Sequence, residues 1–185
     1  MGIVGDSLER AAQAAGTRPI PRSAGAQMRY LVKQHKGSTK AVAGLLGISQ
    51  RTVERYVKDQ IKRPKADLAG RMETEVKRRW QPLVRKRARD KAATQTGLVI
   101  ETRARFGFTA APGTSDDGRM RRITQHLPPE YAGRLLAAQD AGASEAELQQ
   151  IAADGLGEVY FRDSGSRADG LQVEFTDIDY MDVNL

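Results

Sequence analysis

An α+β fold, mainly α, is what this sequence predicts: a helical N-terminal region with a helix-turn-helix, then a small strand–helix–helix region. Two changes of texture carry that expectation. Through residue 96 the apolar residues recur at helical spacing, and Gly, Pro and Ser mark the breaks. From Leu98 the pattern changes, with Leu98, Ile100, Ala104, Phe106 and Phe108 all on even positions, as in a half-buried strand. Helical spacing returns after Pro128–Pro129.

Residues 4–15 read as a short helix with Val4, Leu8, Ala11, Ala12 and Ala15 on one face. Two prolines and a glycine in 16–21 break it. Residues 24–35 form a second helix, striped by Met28, Leu31 and Val32 and ended by Gly37. Helices over 39–46 and 50–60 follow, and Pro64 stops the latter. In 66–80, Leu68, Met72, Val76 and Trp80 recur at i+4 spacing, which makes Trp80 a core residue of that helix. A strand runs from Leu98 to Phe108, and 110–118 is a loop by composition. Residues 120–127 read as a second strand. Pro128–Pro129 opens a helix, and Ser144 with Glu147 forms the capping box of the next. LQVEFTDI is a short last strand before a loose acidic end. The domains are therefore 1–96 (helical DNA-binding domain with a basic extension), 97–118 (strand and loop), 119–161 (strand–helix–helix) and 162–185 (acidic tail).

The helix-turn-helix lies in STKAVAGLLGISQRTVERYV, residues 38–57. Two helices can cross closely only over a small residue, and Ala43 supplies it. The turn needs a left-handed backbone, and Gly47 supplies that four residues later. Val42, Leu46, Ile48, Val53 and Tyr56 fall where the pair buries its inner face, and Ser49 caps the second helix. Gln50, Arg51, Thr52, Arg55 and Lys58 then face outward, as base-edge and phosphate groups for a major-groove helix.

Charge agrees with a polyanionic partner. Residues 1–126 carry 27 Lys and Arg against 11 Asp and Glu, a net of +16, while 127–185 carry 3 against 12. Eight Lys or Arg lie between Lys77 and Lys91, among them Lys77, Arg78, Arg79, Arg85, Lys86 and Arg87. No aromatic ladder interleaves them, so they suit phosphates better than stacked bases. With no cysteine, disulfides and thiolate chemistry are excluded, and two histidines make a poor metal site. No apolar run nears the roughly 18 residues of a membrane span, and the N-terminus is no secretory signal. A soluble cytoplasmic protein associated with the nucleoid is expected.

Residues 119–161 resemble the ribbon-helix-helix layout, in which two chains pair their strands. Arg122, Thr124 and His126 would face outward, and Ile123, Gln125 and Leu127 inward. The acidic helices behind favour a dimer or partner-docking module, with a second copy as one partner, over a DNA reader.

Enzyme signatures are scarce: there is no GxxxxGK[ST], GxGxxG or HExxH. The loop PGTSDD carries two hydroxyls, Thr114 and Ser115, followed by Asp116 and Asp117, weak candidates for a divalent metal.

The blocks TRPIPRSAGAQMRYLVKQHKGSTKAVAGLLGISQRTVERYVKDQIKRP, RWQP, ETRARFGFTAAPGTSDD, LPPEYAGRLL and IAADGLGEVYF span most of the chain. Through them the sequence resembles the telomere-protecting terminal proteins of actinomycete (Streptomyces-type) linear chromosomes and plasmids. The resemblance implies a protein joined covalently to the DNA 5′ end and acting as primer for end-patching synthesis. The acceptor hydroxyl would be Thr114. Telomeric DNA, a telomere-associated protein and a DNA polymerase would be its partners. It would need no cofactor of its own, since the divalent metal comes with the polymerase. Two other readings remain: a helix-turn-helix transcription regulator, which gives PGTSDD no role, and a strand-transferase using a loop hydroxyl, with Arg103 and Arg105 nearby.

Overall fold

Three serines set the first helices after residue 16. Ser23, Ser38 and Ser49 each turn a side-chain oxygen onto a backbone N–H three residues on, at 3.3, 3.1 and 3.2 Å. Such caps satisfy donors that a helix start otherwise leaves open. The structure is a computed structural model that describes residues 2–109, 120–161 and 172–185. Its elements run α1 (Ile3–Ala14), α2 (Ala24–Gln34), α3 (Thr39–Leu46), α4 (Gln50–Val57), α5 (Ala66–Arg79), α6 (Pro82–Lys91), β1 (Leu98–Thr109), β2 (Met120–Leu127), α7 (Pro129–Asp140), α8 (Glu145–Leu156) and β3 (Gln172–Asn184). The fold is α+β and mainly α, with one antiparallel sheet in the order β2-β1-β3.

The chain divides into two compact units, Gly16–Pro82 and Met1–Ala15 with Leu83–Leu185. The sequence boundary at 96 therefore moves. Val4, Leu8 and Ala11 of α1 and Ala92 after α6 are buried in the same cluster as Leu98, Ile100 and Phe106 of β1. An apolar face reveals that a helix packs, without revealing against what.

In the unit of residues 16–82, Met28, Leu31, Val42, Leu46, Val53, Tyr56, Met72 and Val76 form one core beneath α2–α5. Trp80 does not join it. The helix ends one residue earlier, and Trp80 lies half-buried with its ring edge-on to Tyr30, centroids 4.9 Å apart.

The sheet unit is built on β1. Its even-numbered residues Leu98, Ile100, Thr102, Ala104 and Phe106 are buried, and Thr102 donates its hydroxyl to the Tyr180 carbonyl at 2.8 Å. Phe106 meets Phe161 and Phe175 at centroid distances of 5.2 and 5.0 Å. Gly97 enters the strand at φ 68°, and a Cβ there would stand 2.1 Å from the Leu127 carbonyl, so glycine is required.

Two expectations need correction here. The strand of the ribbon-like module, β2, pairs with β1 of its own chain from Leu98↔Leu127 to Arg105↔Met120. Its side chains alternate as expected, with Ile123 and Leu127 buried and Arg122, Thr124 and His126 exposed. The module is thus part of an intrachain sheet rather than a lone ribbon strand. The acidic C-terminus is likewise no loose tail beyond residue 171: β3 pairs with β1 from Thr109↔Gln172 to Val99↔Asn184. Its outward carboxylates meet cations, Asp179 with Arg103 at 2.9 Å and Asp182 with Arg10 at 3.2 Å.

The capping box of α8 is closed both ways. Ser144 N and Oγ donate to Glu147 Oε2 at 2.7 and 2.9 Å, and Glu147 N donates to Ser144 Oγ at 3.3 Å. The backbone and then the hydroxyl of Ser144 hold the Glu147 carboxyl below the ordinary glutamate range. A carboxyl depressed in the fold stabilises it fully above its unfolded value, and that contribution is lost as pH falls through the folded value. Separately, loss of the N-cap in Ser144→Ala should cost about 1 kcal/mol in denaturant unfolding at neutral pH. In a carboxyl-detected NMR titration, the Glu147 midpoint should rise in the same variant; an unmoved midpoint would disprove the box.

Candidate nucleic-acid interface

The α3–α4 pair is fixed by its turn. Gly47 has φ 61° and ψ 38°, and Ile48 N donates to the Ala43 carbonyl at 3.0 Å, which closes the end of α3. Ser49 then starts α4, while Val53 and Tyr56 turn inward into the core. Burial pushes the Tyr56 hydroxyl above its ordinary pKa, and Arg55 beside it offsets part of that rise.

The far end of α4 is held by a residue that sequence reasoning missed. Arg29 of α2 donates to the Val57 carbonyl at 3.0 Å and to Asp59 Oδ2 at 2.6 Å. A cation at a helix C-terminus suits its partial negative charge. Asp59 sits at φ 56°, so the chain turns sharply off α4 just where Arg29 grips it. The two partners lie about thirty residues from Arg29, and no local spacing signals the contact.

The five outward residues of α4 fall into two groups. Arg51, Arg55 and Lys58 are exposed and make no hydrogen bond or ion pair among the described residues. Their i, i+4, i+7 spacing lays them along one face. Gln50 and Thr52 are engaged at the start of the helix. Gln50 donates to Glu54 Oε1 at 3.0 Å, and Thr52 Oγ1 lies 2.8 Å from Ser49 Oγ. Thr52 is also half-buried, so it serves the cap, and Gln50 must leave Glu54 before it can reach a base. Lys62, Arg63 and Lys65 extend the exposed cations beyond Lys58.

The basic stretch of residues 77–91 does not form one surface. Lys77 pairs with Glu73 at 2.6 Å, Arg78 with Glu75 at 2.9 Å, and Arg79 with the same Glu75, all within α5. Arg85 belongs to the sheet unit, where its side chain is only 16% exposed and bonds Glu9 at 3.2 Å. That burial removes Arg85 from the surface a phosphate would meet. Lys86 and Arg87 on α6 are exposed.

Thr114, Asp116 and Asp117 lie outside the described residues. The segment that holds them joins β1 to β2 beyond the pair Arg105↔Met120. Among the described residues no three acidic or imidazole side chains gather as a metal site, and no helix is long and apolar enough to cross a membrane.

The unit of residues 16–82 has 16 Lys and Arg against 5 Asp and Glu, a net of +11. What the arrangement offers is a capped helix held at both ends, with three unpaired cations along it and a positive field around it. That is chemistry for a phosphate backbone and a groove edge.

Gly47→Ala puts a Cβ on a left-handed residue, 3.3 Å from Arg71 Nη1. It should destabilise the helix-turn-helix unit by about 1–2 kcal/mol, read by chemical denaturation. Arg29→Ala should speed amide exchange at Val57–Gln60 while leaving Val42–Leu46 protected. Uniform loosening of both segments would count against a clamp specific to α4.

No family model matches this chain, and neither a curated protein nor a solved structure matches it.

Proposed function

We propose that the protein binds duplex DNA through α4 and acts as a terminal protein, the covalent primer and cap at the ends of a linear replicon. The observation that carries the DNA-binding part is the free outer face of α4. Arg51, Arg55 and Lys58 stand exposed on a helix whose two ends are fixed by Ser49 and Arg29. Cations that served the fold would be paired within it, as Lys77, Arg79 and Arg85 are. In this reading α4 enters the major groove and Lys58 to Lys65 follow the phosphates. The protein then resides on the nucleoid at replicon ends.

The priming part rests on the resemblance and on the chemistry of the Thr114 hydroxyl. The Thr114 hydroxyl attacks the α-phosphorus of a deoxynucleoside triphosphate. A phosphodiester forms, the bond to the β-phosphate breaks, pyrophosphate leaves, and the hydroxyl proton passes to the polymerase site or to water. A threonine hydroxyl is a poor nucleophile unaided, so the polymerase and its divalent metal supply the activation. Four arginines lie where β1 and β2 lead into this segment: Arg103 opposite Arg122, and Ala104 and Arg105 opposite Arg121 and Met120. Arg103 pairs with Asp179 and Arg122 with Glu101, so the positive charge left for an approaching DNA end or polyphosphate is that of Arg105 and Arg121.

Changing Arg51 and Arg55 together to alanine should weaken duplex binding by about tenfold or more and reduce the salt slope by about two. Unchanged binding across a salt titration would remove α4 as the DNA contact. In a transfer assay with labelled deoxynucleotide, telomeric template and polymerase, Thr114→Ala should accept no label and still bind DNA. Ser115→Ala should keep most of the label. Duplex binding that persists while wild-type protein accepts no nucleotide would favour a transcription regulator.

A further inference from the structure

A cavity of about 420 Å³ opens in the helix-turn-helix unit beside the end of α5. Tyr30 and Trp80 form its aromatic wall, their rings 4.9 Å apart and inclined at 61°. The polar end of each ring is satisfied by backbone: Trp80 Nε1 donates to the Arg18 carbonyl at 3.2 Å, and the Tyr30 hydroxyl donates to the Arg79 carbonyl. Both side chains are half-buried, so ring surface remains for an occupant.

The segment that carries Trp80 is held in place with care. Gln81 sits at φ 45°, a left-handed conformation that an ordinary side chain disfavours. Its amide grips Thr17 twice, accepting from the backbone N–H at 2.9 Å and donating to the hydroxyl at 3.1 Å. That clasp pins residues 17–18 against residues 80–81 and so fixes one rim of the cavity.

The rest of the rim is cationic. Arg18 and Lys33 are exposed, and neither side chain makes an ion pair or hydrogen bond among the described residues. Arg79 adds a third cation, compensated by Glu75. Among the described residues no carboxylate lines the cavity. A cavity with two aromatic rings on one wall and free cations on its rim selects a ligand that is flat at one end and anionic at the other. Its volume lies at the lower end of the usual range for small-ligand sites, about 300–1,000 Å³.

We propose that this cavity is a nucleotide-binding notch, in which a base lies against Trp80 and Tyr30 and its phosphate is held by Arg18 and Lys33. Base–aromatic stacking and charge-assisted phosphate contacts each contribute here. The site is separate from the outer face of α4 and needs a base that is not stacked in a duplex. Two sources share that chemistry: an unpaired nucleotide of a DNA strand, and a free deoxynucleotide.

Trp80 is the only tryptophan of the chain, so its fluorescence reports on this site alone. The full-length protein is titrated with dAMP, with dATP, with a short single-stranded oligodeoxynucleotide and with a blunt duplex, at matched ionic strength. Saturable quenching is expected with the oligonucleotide or with the free nucleotides. Quenching by the oligonucleotide alone identifies an unpaired strand, and quenching by the free nucleotides alone identifies a mononucleotide ligand. The double variant Arg18→Ala with Lys33→Ala should weaken that response by about tenfold or more. Its thermal unfolding and its anisotropy-measured affinity for the blunt duplex should match those of wild type. No saturable quenching by any single-stranded or free nucleotide overturns the proposal. So does undiminished quenching in the double variant, or quenching by blunt duplex at equal affinity. Arg51→Ala with Arg55→Ala tests the duplex contact separately and should leave the Trp80 response to single-stranded or free nucleotide intact.

Discussion

The left-handed turn at Gly47 governs what α4 can do. With φ at 61°, this residue closes α3 and delivers Ser49 in extended geometry to start α4. Both helices are only eight residues long, too short to persist by propensity alone. Their stability comes from Val42, Leu46, Val53 and Tyr56, which reach the common core only when the two helices cross at this angle. Arg29 then ties off the far end of α4. A short helix so held loses little freedom when it meets a ligand, and its exposed cations are presented without an ordering cost of the backbone.

The sheet unit depends on β1 in a comparable way. As the middle strand it hydrogen-bonds both neighbours, and its even-numbered residues form the floor on which the unit's helices rest. Glu101 on its outer face accepts from Arg122 at 2.6 Å and from the Tyr180 hydroxyl at 2.9 Å, which joins all three strands. The Arg122 hydrogen bond, then that from Tyr180, draws the Glu101 carboxyl below its ordinary range. Glu101 is half-buried and Arg122 exposed, so this bridge sets strand register more than it adds stability. The acidic C-terminus and the basic strand of the sequence are thus neutralised against each other. Net positive charge remains concentrated in residues 16–82.

Local signals made much of this legible. The serine caps, the glycine turn and the even-numbered stripe of β1 are each written within a few residues. Three features were hidden for a common reason, that their partners are distant. Helix α1 shows its apolar face at Val4, Leu8 and Ala11, yet nothing local says that the face meets the sheet unit. Arg85 reads as one more cation in a basic run, yet it lies mostly buried and bonds Glu9, 76 residues away. In β3 the apolar residues Val173, Phe175, Ile178, Met181 and Val183 break the period of two. The register with β1 shifts twice, between Arg103 and Ala104 and between Arg105 and Phe106. Each irregularity rephases the stripe, so a long strand resembled a short one with an acidic tail.

Trp80 illustrates how the same spacing can mean two things. Leu68, Met72, Val76 and Trp80 continue one i+4 stripe, and the first three are buried where the stripe predicts. The fourth falls at the C-cap, with ψ at 115°, so the backbone has left the helix and the ring departs from the stripe. Pairing with Tyr30 and with the Arg18 carbonyl satisfies it without burial in the core. An aromatic at the end of an amphipathic helix is therefore free to serve a surface cavity. The unit consequently offers two kinds of contact: cations alone along α4, suited to a duplex whose bases are stacked away, and cations around aromatic rings at Trp80, suited to a base that is not. On the proposed function, a protein working where a duplex gives way to a single strand has use for both, and residues 16–82 would carry them.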